Sequence, residues 1–254
     1  MTNTINTAAL IGALNDPDRS VRQRAAVALG SVRSQESADA LVSRLGTETD
    51  CFVKESLTWA AVQTGPLAVP GVLAQLTSAE PAVRSQAAHV LSKIGDPAHA
   101  EHLMPVIADD DPLVAVKAFR AAANTGEPVV IPALAARLGD GDLEQRDALT
   151  SAFATLGAPA VDVLIAALAD DDASVRAHAA DTLGHLGSPL ADPALVGLVG
   201  LLADADAEVR LAAVSALGQL DVVVAGEALA AAAASPDARV AGVAAALNGR
   251  RTAS

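Results

Sequence analysis

His99, Glu101 and His102 fall within one helical turn, so two imidazoles could be offered to one metal ion, but no third ligand stands near them. Asp109-Asp110-Asp111 and Asp170-Asp171-Asp172 have the carboxylate density of a cation site, yet each contains acids that recur along the whole chain, which marks them as turn structure. His178 and His185 lie two helical turns apart on one face, too far to clasp a single ion. Cys51 is the only cysteine and cannot close an internal disulfide; it reads as a small buried or half-buried residue of a reducing compartment. There is no G-x-x-x-x-G-K-S/T loop, G-x-S-x-G elbow, H-E-x-x-H helix or spaced Cys/His set. No catalytic residue, metal site or cofactor is therefore expected.

Composition points to helices as the elements that position these groups. Hydrophobic residues make up 52% of the 254-residue chain but aromatic ones only 2%. A core of Ala, Leu and Val suits close-packed helices better than a sheet, so an all-α fold is expected. The 17 basic residues against 30 carboxylates leave a formal charge of −13, the opposite of the footprint that phosphate neutralisation needs, and no nucleic-acid partner is expected. No stretch reaches about 18 consecutive apolar residues and Met1–Thr7 lacks a basic leader, which predicts a cytoplasmic protein with no membrane insertion.

One stretch organises the chain. In Asp172-Ala173-Ser174-Val175-Arg176, continuing to Leu186-Gly187, an acid precedes a valine by three residues and apolar residues follow at four, five, eight and eleven. With Val175 as zero, copies are centred on Val21, Val53, Val83, Val114, Gln145, Val209 and Val240, at spacings of 32, 30, 31, 31, 30, 34 and 31 residues through the series. A fixed period in this range means stacked repeats. The position three before zero is always acidic (Asp18, Asp50, Glu80, Asp111, Asp142, Asp172, Asp206, Asp237), as expected of a residue that caps a helix, here called helix B. Gly65, Gly95, Gly126, Gly157 and Gly187 are its expected stops. A shorter apolar helix A precedes each acidic turn, as in Ala38–Leu45, Val129–Leu138 and Pro193–Leu202. Two short helices cannot bury their faces alone, so neighbouring repeats must share one core. The expected organisation is a single α-solenoid domain, 1–254, of about eight helix-turn-helix repeats (8–34, 35–65, 66–95, 96–126, 127–157, 158–187, 188–221, 222–248), with a frayed tail at 249–254.

The pattern Asp-x-Asp-x-x-Val-Arg-x-x-Ala-Ala-x-x-Leu-Gly, seen from Asp16 to Gly30 and from Asp204 to Gly218, resembles the HEAT repeat, and more narrowly the short-period subgroup of phycobilisome lyase-type proteins. The resemblance implies that Arg22, Lys54, Arg84, Arg146, Arg176 and Arg210, one after zero, pair with a second column of acids five before zero. It also implies that B helices line a concave side. The enzymatic HEAT group of deoxyhypusine hydroxylases carries His-Glu dyads; the matching places here hold Gln23-Arg24 and Ala177-His178, so that activity is not expected.

The variable positions of helix B then become the candidate site. Six after zero the column reads Val27, Trp59, His89, Arg120, Ser151, Asp181, Ser215, Ala246, and it holds the only tryptophan. Trp and Arg are enriched at binding hot spots. Trp59, His89 and Arg120, flanked by Glu55, Gln63, Gln86, Lys93, Lys117 and Asn124, predict a locally basic wall on repeats two to four that binds a protein or an extended peptide. This makes the chain a non-enzymatic scaffold or adaptor; the lyase-type resemblance implies, as the alternative, an accessory role in bilin attachment or removal.

Overall fold

The computed structural model describes residues 6–252, which form sixteen α-helices joined by short 3-10 turns and bends, with no strand among the described residues. In chain order the helices are α1 (Thr7–Ala13), α2 (Arg19–Gly30), α3 (Gln35–Leu45), α4 (Cys51–Thr64), α5 (Val69–Gln75), α6 (Pro81–Ile94), α7 (Ala100–Ile107) and α8 (Pro112–Asn124). They continue as α9 (Ile131–Ala135), α10 (Leu143–Leu156), α11 (Val161–Ala167), α12 (Ala173–Leu186), α13 (Leu195–Leu201), α14 (Ala207–Leu217), α15 (Val223–Ala232) and α16 (Ala238–Thr252). Odd numbers are the A helices and even numbers the B helices of eight consecutive pairs. The fold is an all-α helical-repeat solenoid, as the periodicity predicts.

The chain divides into two compact units, residues 1–125 and 126–254. In the first, B helices pack in the order α2, α4, α6, α8 and A helices in the order α1, α3, α5. In the second, α10, α12, α14 and α16 follow one another in the same way. The leader reading of the N-terminus falls largely on residues 1–5, outside the described residues. At the other end α16 runs to Thr252, so residues 249–252 of the expected tail belong to the last helix, and 253 and 254 lie outside the described residues.

The local signals act as their chemistry requires. Asp18, Asp50, Asp111, Asp142, Asp172 and Asp206 are N-caps whose carboxylates accept hydrogen bonds from backbone N–H groups of the helix they start, and Asp237 accepts from Arg239 and Val240. Glu80, one methylene longer, holds the same place without a side-chain bond, and Pro81 sets the first turn instead. Gln145, the departure from valine, has a separate job. Asp142 and Gln145 form a reciprocal capping box in which each side chain accepts from the other's backbone. All five predicted stop glycines have positive φ, from 62° at Gly65 to 71° at Gly126.

The A helices are shorter than their apolar patterns suggest. α9 is regular only over Ile131–Ala135, because the first turn of its predicted span is the 3-10 segment Pro128–Val130. The same tight turn precedes α5, α7, α11 and α13, at Gly65–Leu67, Pro97–His99, Ala158–Ala160 and Asp192–Ala194. Proline lies in the first two positions of each of the five 3-10 turns, where its missing N–H leaves no bond unmade.

The predicted charge ladder forms at three places. Arg22 reaches Glu48 (2.8 Å), Arg84 reaches Asp109 (2.6 Å) and Arg176 reaches Asp204 (2.8 Å), while the same guanidinium groups donate to carbonyls of their own turn. Arg210 reaches Asp237 (2.7 Å), because Ser235 stands where the usual acid would be. For Lys54 the acid column holds a serine, Ser78, and Arg146 donates to the Gly139 carbonyl although Asp170 stands in its acid column.

Close helix crossings use small residues. At Gly184 an added Cβ would lie 2.8 Å from the Ala216 Cα of α14, and at Gly30 it would lie 2.9 Å from the Ala60 Cα of α4. Gly184→Val is accordingly expected to cost about 1–3 kcal/mol by overpacking. Urea unfolding followed by circular dichroism checks this, and an unchanged midpoint would show that α12 and α14 can separate freely.

Candidate functional site

The nine predicted wall residues all lie on α4, α6 and α8, within the first unit. Heptad-like burial of Val53, Leu57, Ala60 and Ala61 on α4, and of Ala87, Ala88 and Leu91 on α6, turns the opposite faces outward. Trp59 is 49% exposed. Its ring is held rather than loose: Nε1–H donates to Glu55 Oε1 at 2.7 Å, and the Lys93 ammonium lies 5.4 Å from the ring centroid. Trp59 therefore does not fill a gap between repeats. It presents a pre-positioned aromatic face between a carboxylate and a cation.

His89 is drawn further in than expected, to half-burial. Its Nε2 lies 3.4 Å from Glu55 Oε2, and its Nδ1 is buried with no hydrogen-bond partner among the described residues. Burial pushes its pKa below the ordinary value, and the Lys117 and Lys93 charges push the same way, outweighing the hydrogen bond and charge of Glu55. His89 is thus a neutral member of the wall. Arg120 is exposed and makes no ion pair among the described residues.

Two predicted contacts are already committed within the fold. Gln86 donates to Thr58 Oγ1 at 2.8 Å and Asn124 donates to the Ser92 carbonyl at 2.8 Å, so each ties its B helix to the preceding one. Gln63 is exposed beside the crossing of α2 and α4, where its Oε1 would lie 2.8 Å from a Cβ at Gly30.

Between α4 and the following B helices lies a groove of about 180 Å³, lined by Glu55, Gln86, His89 and Lys117 together with Cys51, Lys54 and Ser85. The last three escaped the sequence reading. Cys51 was expected to be at least half-buried, but as the first residue of α4 it is exposed. Lys54 belongs to the basic column read as architectural, whereas Ser85 lies two after zero, in the register of Glu55, and was not singled out. A signal was present for Lys54, since the missing acid at Ser78 leaves it without a ladder partner. Val27, 56% exposed, extends the wall toward α2 in the same column as Trp59. Phe52 is also exposed, under the Arg19 guanidinium at 5.6 Å.

The histidines singled out as possible ligands separate. His99 is buried, while His102 is exposed. His178 is buried and accepts from the Gly139 N–H at 3.1 Å, which explains its presence structurally. No group of three or more His, Cys, Asp or Glu side chains converges among the described residues. Among them, too, no single helix is long and apolar enough to cross a membrane.

Capped helix pairs stacked B on B, with the variable face turned out, define a helical-repeat protein of the α-solenoid class. The chain belongs to the HEAT-repeat family: the model of HEAT repeats matches residues 5–61, 69–154, 144–200 and 161–248. No curated protein matches it. Among solved structures it is similar to Kap95p in a complex with RanGDP, at 11% identity and a TM-score of 0.63, covering 95% of this chain and 40% of that one. It is also similar to human deoxyhypusine hydroxylase at 22% identity and a TM-score of 0.41, covering 98% and 96% of the two chains. The complex of CpcE and CpcF of phycocyanin lyase from Nostoc sp. PCC7120 matches at 23% identity and a TM-score of 0.44, covering 96% and 95%. At 11% identity the likeness to Kap95p speaks to fold alone.

Proposed function

We propose that the protein is a binding scaffold that takes an extended segment of another protein across the B-helix wall of α4, α6 and α8. The observation that carries this reading is Trp59, half-exposed yet fixed in orientation by Glu55 and Lys93. An exposed indole costs the free protein favourable burial, and fixing it in advance lowers the ordering cost of a complex. Lys93 beside it, with Lys117 and Arg120 on α8, adds positive charge to the wall in a chain of net charge −13, which suits a segment bearing an apolar anchor and carboxylates along its length.

Selection of peptides from a displayed random library against the intact chain tests the reading. Trp59→Ala is expected to weaken the selected peptides about 30-fold, the effect of losing a hot-spot anchor, and Arg120→Ala about 10-fold. The sole tryptophan also reports binding through its fluorescence. Unchanged affinity in both variants, with helical content intact, would remove the wall from consideration.

A further inference from the structure

We infer that the second unit holds a site for a guanidinium group, the head of an arginine side chain or of a small free guanidine, on the B-helix face where α12 crosses α14. A concavity of about 410 Å³ opens there, lined by Asp181, Gly184, His185, Ser215, Ala216 and Gln219. Its size is in the range of small-molecule sites. It shares no residue with the wall on α4, α6 and α8, so the two readings are independent.

The repeat sets the shape of the site. Asp181 and Ser215 hold the position six after zero on adjacent B helices, and His185 and Gln219 hold the position ten after zero. Residues four apart on a helix stand about 6 Å from each other and packed helix axes about 8–10 Å, so the four side chains mark the corners of a small rectangle. Gly184 and Ala216 are buried between them, and an added Cβ at Gly184 would lie 2.8 Å from the Ala216 Cα. The floor is therefore flat, made of backbone and one methyl group.

All four corner residues are exposed, and none of their side chains makes a hydrogen bond or ion pair among the described residues. Polar side chains elsewhere on the B helices are committed: Gln86 and Asn124 reach the preceding helix, and Thr155, ten after zero on α10, donates to the Ser151 carbonyl at 3.0 Å. Standing in the concavity, the Asp181 carboxyl has its pKa raised by desolvation, against a smaller opposite pull from Arg146. That guanidinium is turned away to the Gly139 carbonyl at 2.9 Å. A carboxylate that has lost water without gaining a donor is stabilised by a cation that brings donors with it.

The other corners select among cations. Asp181 only accepts, and Ser215, Gln219 and the imidazole ring each offer an acceptor as well. An ammonium is a compact, strongly hydrated charge. A guanidinium is planar, forked and more weakly hydrated, so it can engage the carboxylate through two parallel bonds, lie over the flat floor and still direct donors to the second helix.

The test titrates the intact protein at low salt with ethylguanidinium, with N-ethylurea, which has the same planar shape without the charge, and with n-propylammonium, which has the charge without the fork. The His185 imidazole and Gln219 side-chain amide signals are followed by NMR. The expected result is saturable shifts of both signals with ethylguanidinium, and binding of the urea and the ammonium weaker by about tenfold or more, the effect of losing a charge-assisted hydrogen bond. Asp181→Asn should weaken ethylguanidinium by a similar factor with helical content unchanged. The tripeptide acetyl-Gly-Arg-Gly-amide separates the two sources: tighter binding than ethylguanidinium assigns the site to an arginine side chain of a partner, and equal or weaker binding to a free guanidine. No saturable shift with either guanidinium probe, or a urea or ammonium that binds the wild-type protein as tightly as ethylguanidinium, would overturn the proposal without recourse to the variant.

Discussion

Replacing Glu48 by alanine is expected to lower the stability of the first unit by about 3–5 kcal/mol, the cost of stranding buried charge. The Glu48 side chain has no exposed surface in either of its ion pairs. Arg22 grips it with Nε at 2.8 Å and Nη2 at 3.1 Å, Arg44 adds Nη2 at 2.8 Å, and the Thr49 and Asp50 backbone N–H groups donate at 3.0 and 2.9 Å. Alanine would leave two guanidinium groups and two backbone amides without their acceptor. Elsewhere the ladder consists of single arginine–aspartate pairs with partly exposed partners, so Asp109→Ala is expected to cost less than Glu48→Ala.

The same residue sets a pH signature. Burial opposes the Glu48 charge, but the hydrogen bonds from Arg22, the Asp50 amide, Arg44 and the Thr49 amide outweigh it and hold the pKa at about 2, down from 4.5. A carboxylate depressed on folding contributes stability above its unfolded pKa and loses it as pH falls through the folded one. The stability gap between wild type and Glu48→Ala should therefore be full above pH 4.5 and narrow toward pH 2. Urea titrations at several pH values measure it. A gap under about 1 kcal/mol at pH 7, the range of an exposed pair, would show that Glu48 is solvated and not a buried tie.

Phe119→Ala is the second large effect, with an expected loss of about 3–5 kcal/mol. The buried position eight after zero holds Leu29, Leu91, Phe153, Leu183 and Leu217, but α4 and α8 have Ala61 and Ala122 there. In α8 a large side chain stands one turn earlier instead, where Phe119 occupies a position that holds Ala26, Ala88 and Ala180 in other repeats. Both residues are at most 2% exposed, and residues three apart share a helix face. If the phenyl ring fills the space left by Ala122, Ala122→Leu should restore part of the stability lost in Phe119→Ala. In the wild-type background Ala122→Leu should instead cost about 1–3 kcal/mol through overpacking. Denaturation of the two single variants and the double variant supplies the cycle, and strict additivity would mean that the two positions fill separate spaces.

Reading the sequence alone recovered the eight helix pairs, the seven aspartate caps from Asp18 to Asp237, the five stop glycines and the outward face carrying Trp59, while Glu80 holds its cap position without a side-chain bond. These depend on neighbours within one turn: a carboxylate beside free amides, a glycine able to take positive φ, an apolar stripe of helical period. The same local rules explain why Gln145 could be located as a departure although its capping box with Asp142 was not foreseen. Only the tertiary structure decided which long polar side chains remain available. Gln86 and Asn124 reach across to neighbouring helices, His89 sinks to half-burial against Glu55, and Cys51 comes to the surface beside Lys54. It alone brought His99, read from its spacing as a weak metal ligand, into an apolar pocket with Ile94 and Val62. The physical reason is that helical periodicity fixes the direction in which each side chain leaves its own helix, whereas rotamers, burial and the spaces at helix ends depend on how closely the next repeat approaches.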